Sequence, residues 1–291
     1  MKGLIVETDE LTSINPLIKV GGSAGLNCFM FPLIYFPMSF LLRRGVKDIT
    51  LALTKPSIET AQELFGSGKD YGVNIRYKIL DKASFLAQEI LEDTEHFRGH
   101  SVIYISSNTV LWGKELRQSI KEVIQTESSS ATIFGKYLET SKHFEKMIIN
   151  PLGQIVSFDD LCCEGNTKLV VPKAGIYPRD IVEVVESLSP EYIAEELRPI
   201  NSSYMLKQKL DHIYIHSDEL WFQVDSFNTL KLLTKNLEEY YTKQQTIIGS
   251  PERNAYQSGL IKREKFDLLV NRYQSDEFRE LMYRNLDFCN Q

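Results

Sequence analysis

The residues of this chain best suited to chemistry are acidic. Asp9 and Glu10 lie in the stretch Glu7 to Ser13, directly after the apolar run Gly3-Leu4-Ile5-Val6. Asp159 and Asp160 stand close to the adjacent thiols Cys162 and Cys163, and Asp225 follows Trp221-Phe222-Gln223-Val224. Carboxylates of this kind act as general acids and bases or hold a divalent cation. Asp225 would serve as a displaced metal ligand. A thiol nucleophile at Cys162 or Cys163 needs a histidine partner, and the sequence places none beside it. His212, Tyr214 and His216 alternate on one strand face. They suit zinc, but no cysteine or acidic triad accompanies them, so an exposed strand face is the simpler expectation. Gly21-Gly22-Ser23-Ala24-Gly25 has the composition of an anion-binding nest or of a flexible loop. Glu7 to Ser13 is expected to be an acidic, solvated loop.

These residues must be carried by alternating strands and helices. Met1 to Val6 and Ile49 to Leu53 read as strands, Val73 to Leu80 as an alternating one, and Ser101 to Ile105 and Ala131 to Gly135 as buried ones. Between them lie helical stretches over Ser57 to Phe65, with Ser57 as N-cap, Ala83 to Glu92 and Lys114 to Thr126. Such alternation implies a mostly parallel, doubly wound sheet. Beyond Gly135, helices are expected over Ile181 to Ser187, Asn201 to Lys209, Phe227 to Thr242 and, with breaks, Arg263 to Arg284. His212 to His216 reads as a strand. The domain reading is an α/β unit over residues 1–240 with a helical appendage, 241–291, packed on it.

Composition narrows the class. The chain has 291 residues, 43% hydrophobic and 25% charged, as in an ordinary globular protein. A net charge of −6 gives no support to a nucleic-acid or anionic-membrane partner. Four cysteines, Cys28, Cys162, Cys163 and Cys289, lack zinc-ribbon spacing and are expected to be free thiols in a reducing cytoplasm. Met1-Lys2 runs straight into a strand, without the features of a signal peptide. The uncharged run Leu26 to Leu42 is short for a membrane span and carries Pro32 and Pro37. It is expected to be a buried helix packed on the sheet.

The chain resembles the sugar-1-phosphate nucleotidyltransferases, most closely the glucose-1-phosphate thymidylyltransferases. Those enzymes begin M-K-G-I-I-L-A-G-G-S-G-T-R-L-x-P-L-T-K, and Met1 to Lys19 aligns with this without a gap. Pro32-Leu33-Ile34-Tyr35-Phe36-Pro37-Met38 is similar to the family's P-M-I-Y-Y-P-L. Leu64 to Val73 is similar to L-L-G-D-G-S-x-W-G-L, Leu86-Ala87-Gln88 to L-A-Q, Trp112-Gly113 to Y-G, and Gly175-Ile176-Tyr177 to G-L-Y. Trp221-Phe222 matches the W-L of W-L-D-T-G. Pro251-Glu252, Ala255-Tyr256 and Gly259-Leu260-Ile261 match P-E-E-I-A-F-R-K-G-F-I. The resemblance implies a three-layer α/β/α, Rossmann-like fold with a mixed, mostly parallel sheet and C-terminal helices.

The departures fall on the chemistry. The family's phosphate loop G-G-x-G-T-R becomes Thr8-Asp9-Glu10-Leu11-Thr12-Ser13, and its following lysine and glutamine become Ser23 and Ala24. At ~4 Å and an effective dielectric of ~20, each carboxylate–phosphate pair repels by roughly 4 kcal/mol. The glutamine that reads the base falls on Leu80. The magnesium aspartate of G-D-N falls on Asn108 within Ser107-Asn108-Thr109, and the second metal aspartate falls on Gln223. The E-K-P motif, whose lysine contacts the sugar phosphate, falls on Asp160-Leu161-Cys162. Neutral amide oxygens bind Mg²⁺ poorly beside water.

The resemblance and its departures together imply a pseudoenzyme, with an assembly or regulatory role in sugar-nucleotide metabolism. The expected partner is a second copy, in a dimer or tetramer, or an active paralogue, with no nucleic acid and no membrane. No catalytic residue and no cofactor are assigned. The remnant pocket is expected at Asn108, Asp160, Gly175, Trp221, Gln223 and Asp225. Two alternatives stay open. One is a module that binds a sugar phosphate or sugar nucleotide. The other is an enzyme with rebuilt chemistry, either one that uses Asp159, Asp160 or Asp225 on a new substrate or an active thymidylyltransferase-type nucleotidyltransferase with a rebuilt metal site, which would need Mg²⁺.

Overall fold

The computed structural model describes residues 1–8, 11–138, 144–159, 168–244, 247–284 and 286. Its strands, in chain order, are β1 (Lys2–Val6), β2 (Asn27–Cys28), β3 (Phe31–Pro32), β4 (Asp48–Thr54), β5 (Asn74–Leu80), β6 (Val102–Ser106) and β7 (Thr109–Trp112). They continue with β8 (Ala131–Leu138), β9 (Lys146–Ile149), β10 (Ile155–Asp159), β11 (Lys168–Val170), β12 (Ala174–Tyr177), β13 (Leu210–Tyr214) and β14 (Leu220–Gln223). Ten of them form one sheet, ordered β10-β9-β11-β8-β12-β6-β1-β4-β5, with β13 also paired to β8. β5, β4, β1, β6, β8 and β13 run one way, and β12 is inserted against them. β11, β9 and β10 extend the sheet as an antiparallel ribbon.

Successive strand residues point to opposite faces, and each face has its own core. Ile5, Leu51, Leu53, Ile103 and Ile105 pack with helices Tyr35–Leu42, Lys55–Phe65 and Lys114–Gln125. Leu4, Val6, Ala52 and Tyr104 pack with helices Leu86–Glu92, Ile181–Glu186 and Arg198–Leu206. This is the three-layer arrangement expected from the alternation. Gly3 makes it possible at one point, since a Cβ there would lie 2.8 Å from Leu41 Cδ1.

All eight residues of helix Tyr35–Leu42 are buried. It is apolar on every side because the sheet covers one flank and helix Pro251–Gln257 another. No helix among the described residues is long and apolar enough to cross a membrane. The expectation of a continuous helix from Leu26 needs correction: the run opens with the small ribbon β2–β3, and the helix begins only at Tyr35. Phe29, at φ +59, makes the turn between the two short strands.

Other boundaries also shift. Helix Lys55–Phe65 starts at Lys55 with proline in its first turn, so Thr54, not Ser57, is the N-cap. The expected Asn201 helix begins at Arg198, again with proline in its first turn. The helix placed at Ala83 begins at Leu86, and the C-terminal stretch divides into Arg263–Val270 and Asp276–Tyr283. The His212 strand spans Leu210–Tyr214, which leaves His216 beyond it.

Candidate functional site

The parallel strands β1, β4 and β6 end side by side, with Val6 in register with Ala52 and Ser106. Ligand sites of open α/β sheets form at such carboxyl ends. Two main-chain bonds draw the following loops together: Glu7 N–H donates to Ala52 O (2.9 Å) and Ser107 N–H to Val6 O (2.8 Å). The ribbon β7–β14 comes next and places Thr109 opposite Gln223.

Glu7 does not lie in a solvated loop, as the sequence reading expected. It is 4% exposed. Its Oε2 accepts from Thr54 N–H (2.7 Å) and Thr54 Oγ1 (2.8 Å) at the start of helix Lys55–Phe65. Its Oε1 accepts from Ser23 Oγ (2.6 Å) and Ser57 Oγ (3.1 Å). A carboxylate at a helix N-terminus with four donors is well satisfied. The glycine-rich stretch is thereby fastened to the sheet: Ser23 and Ala24 are buried. Thr8 and Leu11 are buried too. Leu11 has φ +47, a left-handed conformation that glycine adopts freely and leucine only at a cost. Asp9 and Glu10 lie outside the described residues.

The second cluster joins the two positions that the family resemblance assigns to metal aspartates. Gln223 Nε2 donates to Asn108 Oδ1. Asn108 Oδ1 also accepts from Ser106 Oγ (2.6 Å), and Asn108 Nδ2 donates to Val224 O (2.9 Å). Gln223 Oε1 accepts from Thr109 Oγ1 (2.6 Å), and the hydroxyls of Thr8 and Ser106 lie 2.8 Å apart. Asn108 and Gln223 are buried. Each amide oxygen therefore faces N–H or O–H donors, which leaves little acceptor capacity for a cation. A magnesium ion, which demands about six oxygens around it, does not fit this donor set. No group of three or more His, Cys, Asp or Glu among the described residues could hold a metal ion, the His212 face included.

The remaining expected residues scatter. Asp160 lies outside the described residues, as do Cys162, Cys163 and Cys289. Asp225 acts locally: Thr229 Oγ1 donates to its Oδ1 (3.0 Å), its own N–H donates to Thr229 Oγ1 (3.1 Å), and its carbonyl accepts from Ser13 Oγ (2.5 Å). A Cβ on Gly175 would meet the Tyr177 ring at 2.9 Å. Trp221 packs edge-on against Phe144 with ring centroids 5.0 Å apart. Its Nε1 is buried without a hydrogen-bond partner among the described residues. Leu80 is buried in the core with Val6, Ala52 and Leu86. Beside it, Lys78 bridges Glu89 (2.7 Å) and Glu92 (2.6 Å). Burial alone would depress the Lys78 ammonium, but the two glutamates hold it above its ordinary value. Cys28 is buried, and desolvation pushes its thiol up to about 12, so it is unreactive.

Sequence reasoning missed Glu7, Ser23, Thr54, Ser57, Ser106 and Thr109 as partners in these clusters. The available signal was a lone glutamate ending an apolar strand, with small hydroxyl residues following each neighbouring strand.

A family model described as nucleotidyl transferase matches residues 24–240, well over half of the chain. A glucose-1-phosphate thymidylyltransferase from Mycolicibacterium smegmatis is 23% identical over 262 residues, covering 90% of each chain. Its counterpart from Mycobacterium tuberculosis H37Rv is 24% identical over 290 residues, covering 98% of this chain and 100% of the relative. In fold, the chain is similar to a crystal structure from Bacillus anthracis, assigned as a glucose-1-phosphate thymidylyltransferase in complex with sucrose. The TM-score is 0.72 at 19% identity, over 81% of this chain and 94% of that one. With the strand-end architecture and the family model in agreement, this chain belongs to the nucleotidyl transferase family.

Proposed function

We propose that the chain is a catalytically degenerate sugar-1-phosphate nucleotidyltransferase with an assembly or regulatory role in sugar-nucleotide metabolism. The observation that carries this reading is the amide pair of Asn108 and Gln223, hydrogen-bonded to each other where the resemblance calls for two metal carboxylates. In-line transfer to the α-phosphorus of a nucleoside triphosphate spreads negative charge over oxygens that Mg²⁺ and cationic side chains stabilise. Removing one such group costs about 10²–10³ in rate. The matched C-terminal motifs, beginning at Pro251-Glu252, support assembly as the retained property. The partner is a second copy or an active paralogue, in the cytoplasm, with no resident cofactor.

A sugar-phosphate or sugar-nucleotide binding module is the second reading. The buried Trp221 Nε1, without an acceptor among the described residues, favours it. An active enzyme with a rebuilt metal site would have to use Asp225, whose Oδ1 already accepts from Thr229, or Asp159 and Asp160.

Calorimetric titration of dTTP, UTP and dTDP-glucose with Mg²⁺, followed by pyrophosphate release with glucose 1-phosphate, separates the three. Silence in both supports the pseudoenzyme. Binding without turnover selects the binding module, where a ligand at 100 times its Kd adds about 2.7 kcal/mol to stability. Turnover at an ordinary rate overturns the proposal.

A further inference from the structure

Glu252 is buried on helix Pro251–Gln257 and makes no ion pair among the described residues. Its Oε1 accepts from Tyr273 OH (2.9 Å) and its Oε2 from Ser250 Oγ (2.9 Å). Tyr71, whose hydroxyl donates to Leu64 O (3.4 Å), and Tyr35 stand near the same carboxylate. The groups of this cluster come from helix Tyr35–Leu42, from the turn at Lys69–Tyr71, from the N-cap of Glu252's own helix, and from the turn between the last two helices.

The nearby charges are directed elsewhere. Arg253 donates to the carbonyls of Leu281 (3.2 Å), Met282 (2.9 Å) and Arg284 (2.8 Å). Lys265 (2.6 Å) and Arg272 (2.7 Å) both pair with Asp70. Glu252 is thus buried without a counter-charge among the described residues, a setting that favours the protonated acid over the buried anion. Desolvation raises its pKa, although its own main-chain N–H and the neighbouring hydroxyls oppose the shift. Burial raises Tyr35, Tyr71 and Tyr273 as well, so these phenols stay neutral.

We propose that Glu252 is a proton-linked clasp: its protonated form holds the C-terminal helices Arg263–Val270 and Asp276–Tyr283 on the body, and its ionisation loosens them. This inference is independent of the nucleotide-site reading. Its sign follows from linkage. A folded-state pKa above the ordinary value gives stability that is complete below about pH 4.3, the ordinary glutamate value. That stability is lost as pH rises through the folded value. Within this window, opening that exposes Glu252 becomes about tenfold more frequent per pH unit.

Hydrogen exchange of the full chain between pH 4.5 and 7.5, corrected for intrinsic rates, tests this at residues 263–284. Wild type is expected to show opening that rises with pH and then levels. Glu252→Gln is expected to show no such rise. Tyr273→Phe removes a donor to the charged form and is expected to carry the rise to higher pH. An unchanged slope in Glu252→Gln, or an unmoved profile in Tyr273→Phe, overturns the proposal. If Glu252→Gln does not fold, the Tyr273→Phe profile decides alone.

Discussion

Two of the buried glutamates, Glu7 and Glu252, are held in different manners. At the strand ends, Glu7 takes four donors, one of them a main-chain N–H at the start of an eleven-residue helix. At the C-terminal clasp, Glu252 takes its own main-chain N–H and hydroxyls, has no ion pair among the described residues, and its pKa rises. Burial without a counter-charge outweighs those donors at Glu252, whereas no ordinary donor is lacking at Glu7. The first arrangement is a fixed structural joint, and the second is one whose strength depends on a proton. Thr8 and Leu11, which the resemblance aligns with family glycines, are buried beside this joint.

The comparison breaks most visibly at Glu7. Glu7→Ala leaves Ser23 Oγ, Ser57 Oγ and both Thr54 donors without their acceptor. Each buried orphan costs about 1–3 kcal/mol, so the variant should lose about 3 kcal/mol or more in urea unfolding. A loss below about 1 kcal/mol would mean that the loop at Gly21 to Gly25 has another anchor. The amide pair offers a sharper test. Asn108→Asp with Gln223→Asp places two carboxylates in contact inside a buried site, where like charges raise one pKa. That double variant should lose about 2 kcal/mol at neutral pH, and ~10 mM Mg²⁺ should restore part of it, as a ligand specific to the folded state does. Wild type should show no such Mg²⁺ response in thermal unfolding. If the double variant shows none either, carboxylates at these two positions are not enough to hold the ion.

Most of the fold could be read from the residues. Leu4 to Val6, Ile49 to Leu53 and Val102 to Ile105 are apolar runs of strand length between helical patterns, and each is a buried parallel strand. The misreadings share a cause. Leu26 to Leu42 is uniformly apolar, so periodicity could not tell its ribbon from its helix. Ser57 has the right residue type for an N-cap, but Thr54 and a first-turn proline precede it. The site was harder. Motif comparison found the Asn108 and Gln223 substitutions, yet only the structure brings their side chains into contact across 115 positions. Glu7 looked like a loop residue because its partners lie 16, 47 and 50 positions away. Pairing of that range leaves no local pattern.

The smallest effect concerns the bridge between the strand ends and the helix beyond them. Ser13 Oγ donates to the Asp225 carbonyl across 212 positions, joining the loop after β1 to the start of helix Phe227–Gln244. Ser13 is exposed, so water can replace its hydrogen bond at either end. Ser13→Ala should therefore cost only about 0.5–1 kcal/mol, roughly 1–2 °C in a chain of this size. Asp225 should not move in response, because Thr229 holds both its N–H and its carboxylate. Exchange at the Asp225 amide is the discriminating readout. If it stays protected in Ser13→Ala, the helix start is fixed by its own cap, and the Ser13 bond is a surface contact. If protection is lost, the loop after β1 and the helix open together, and the rigid joint at Glu7 extends as far as Asp225.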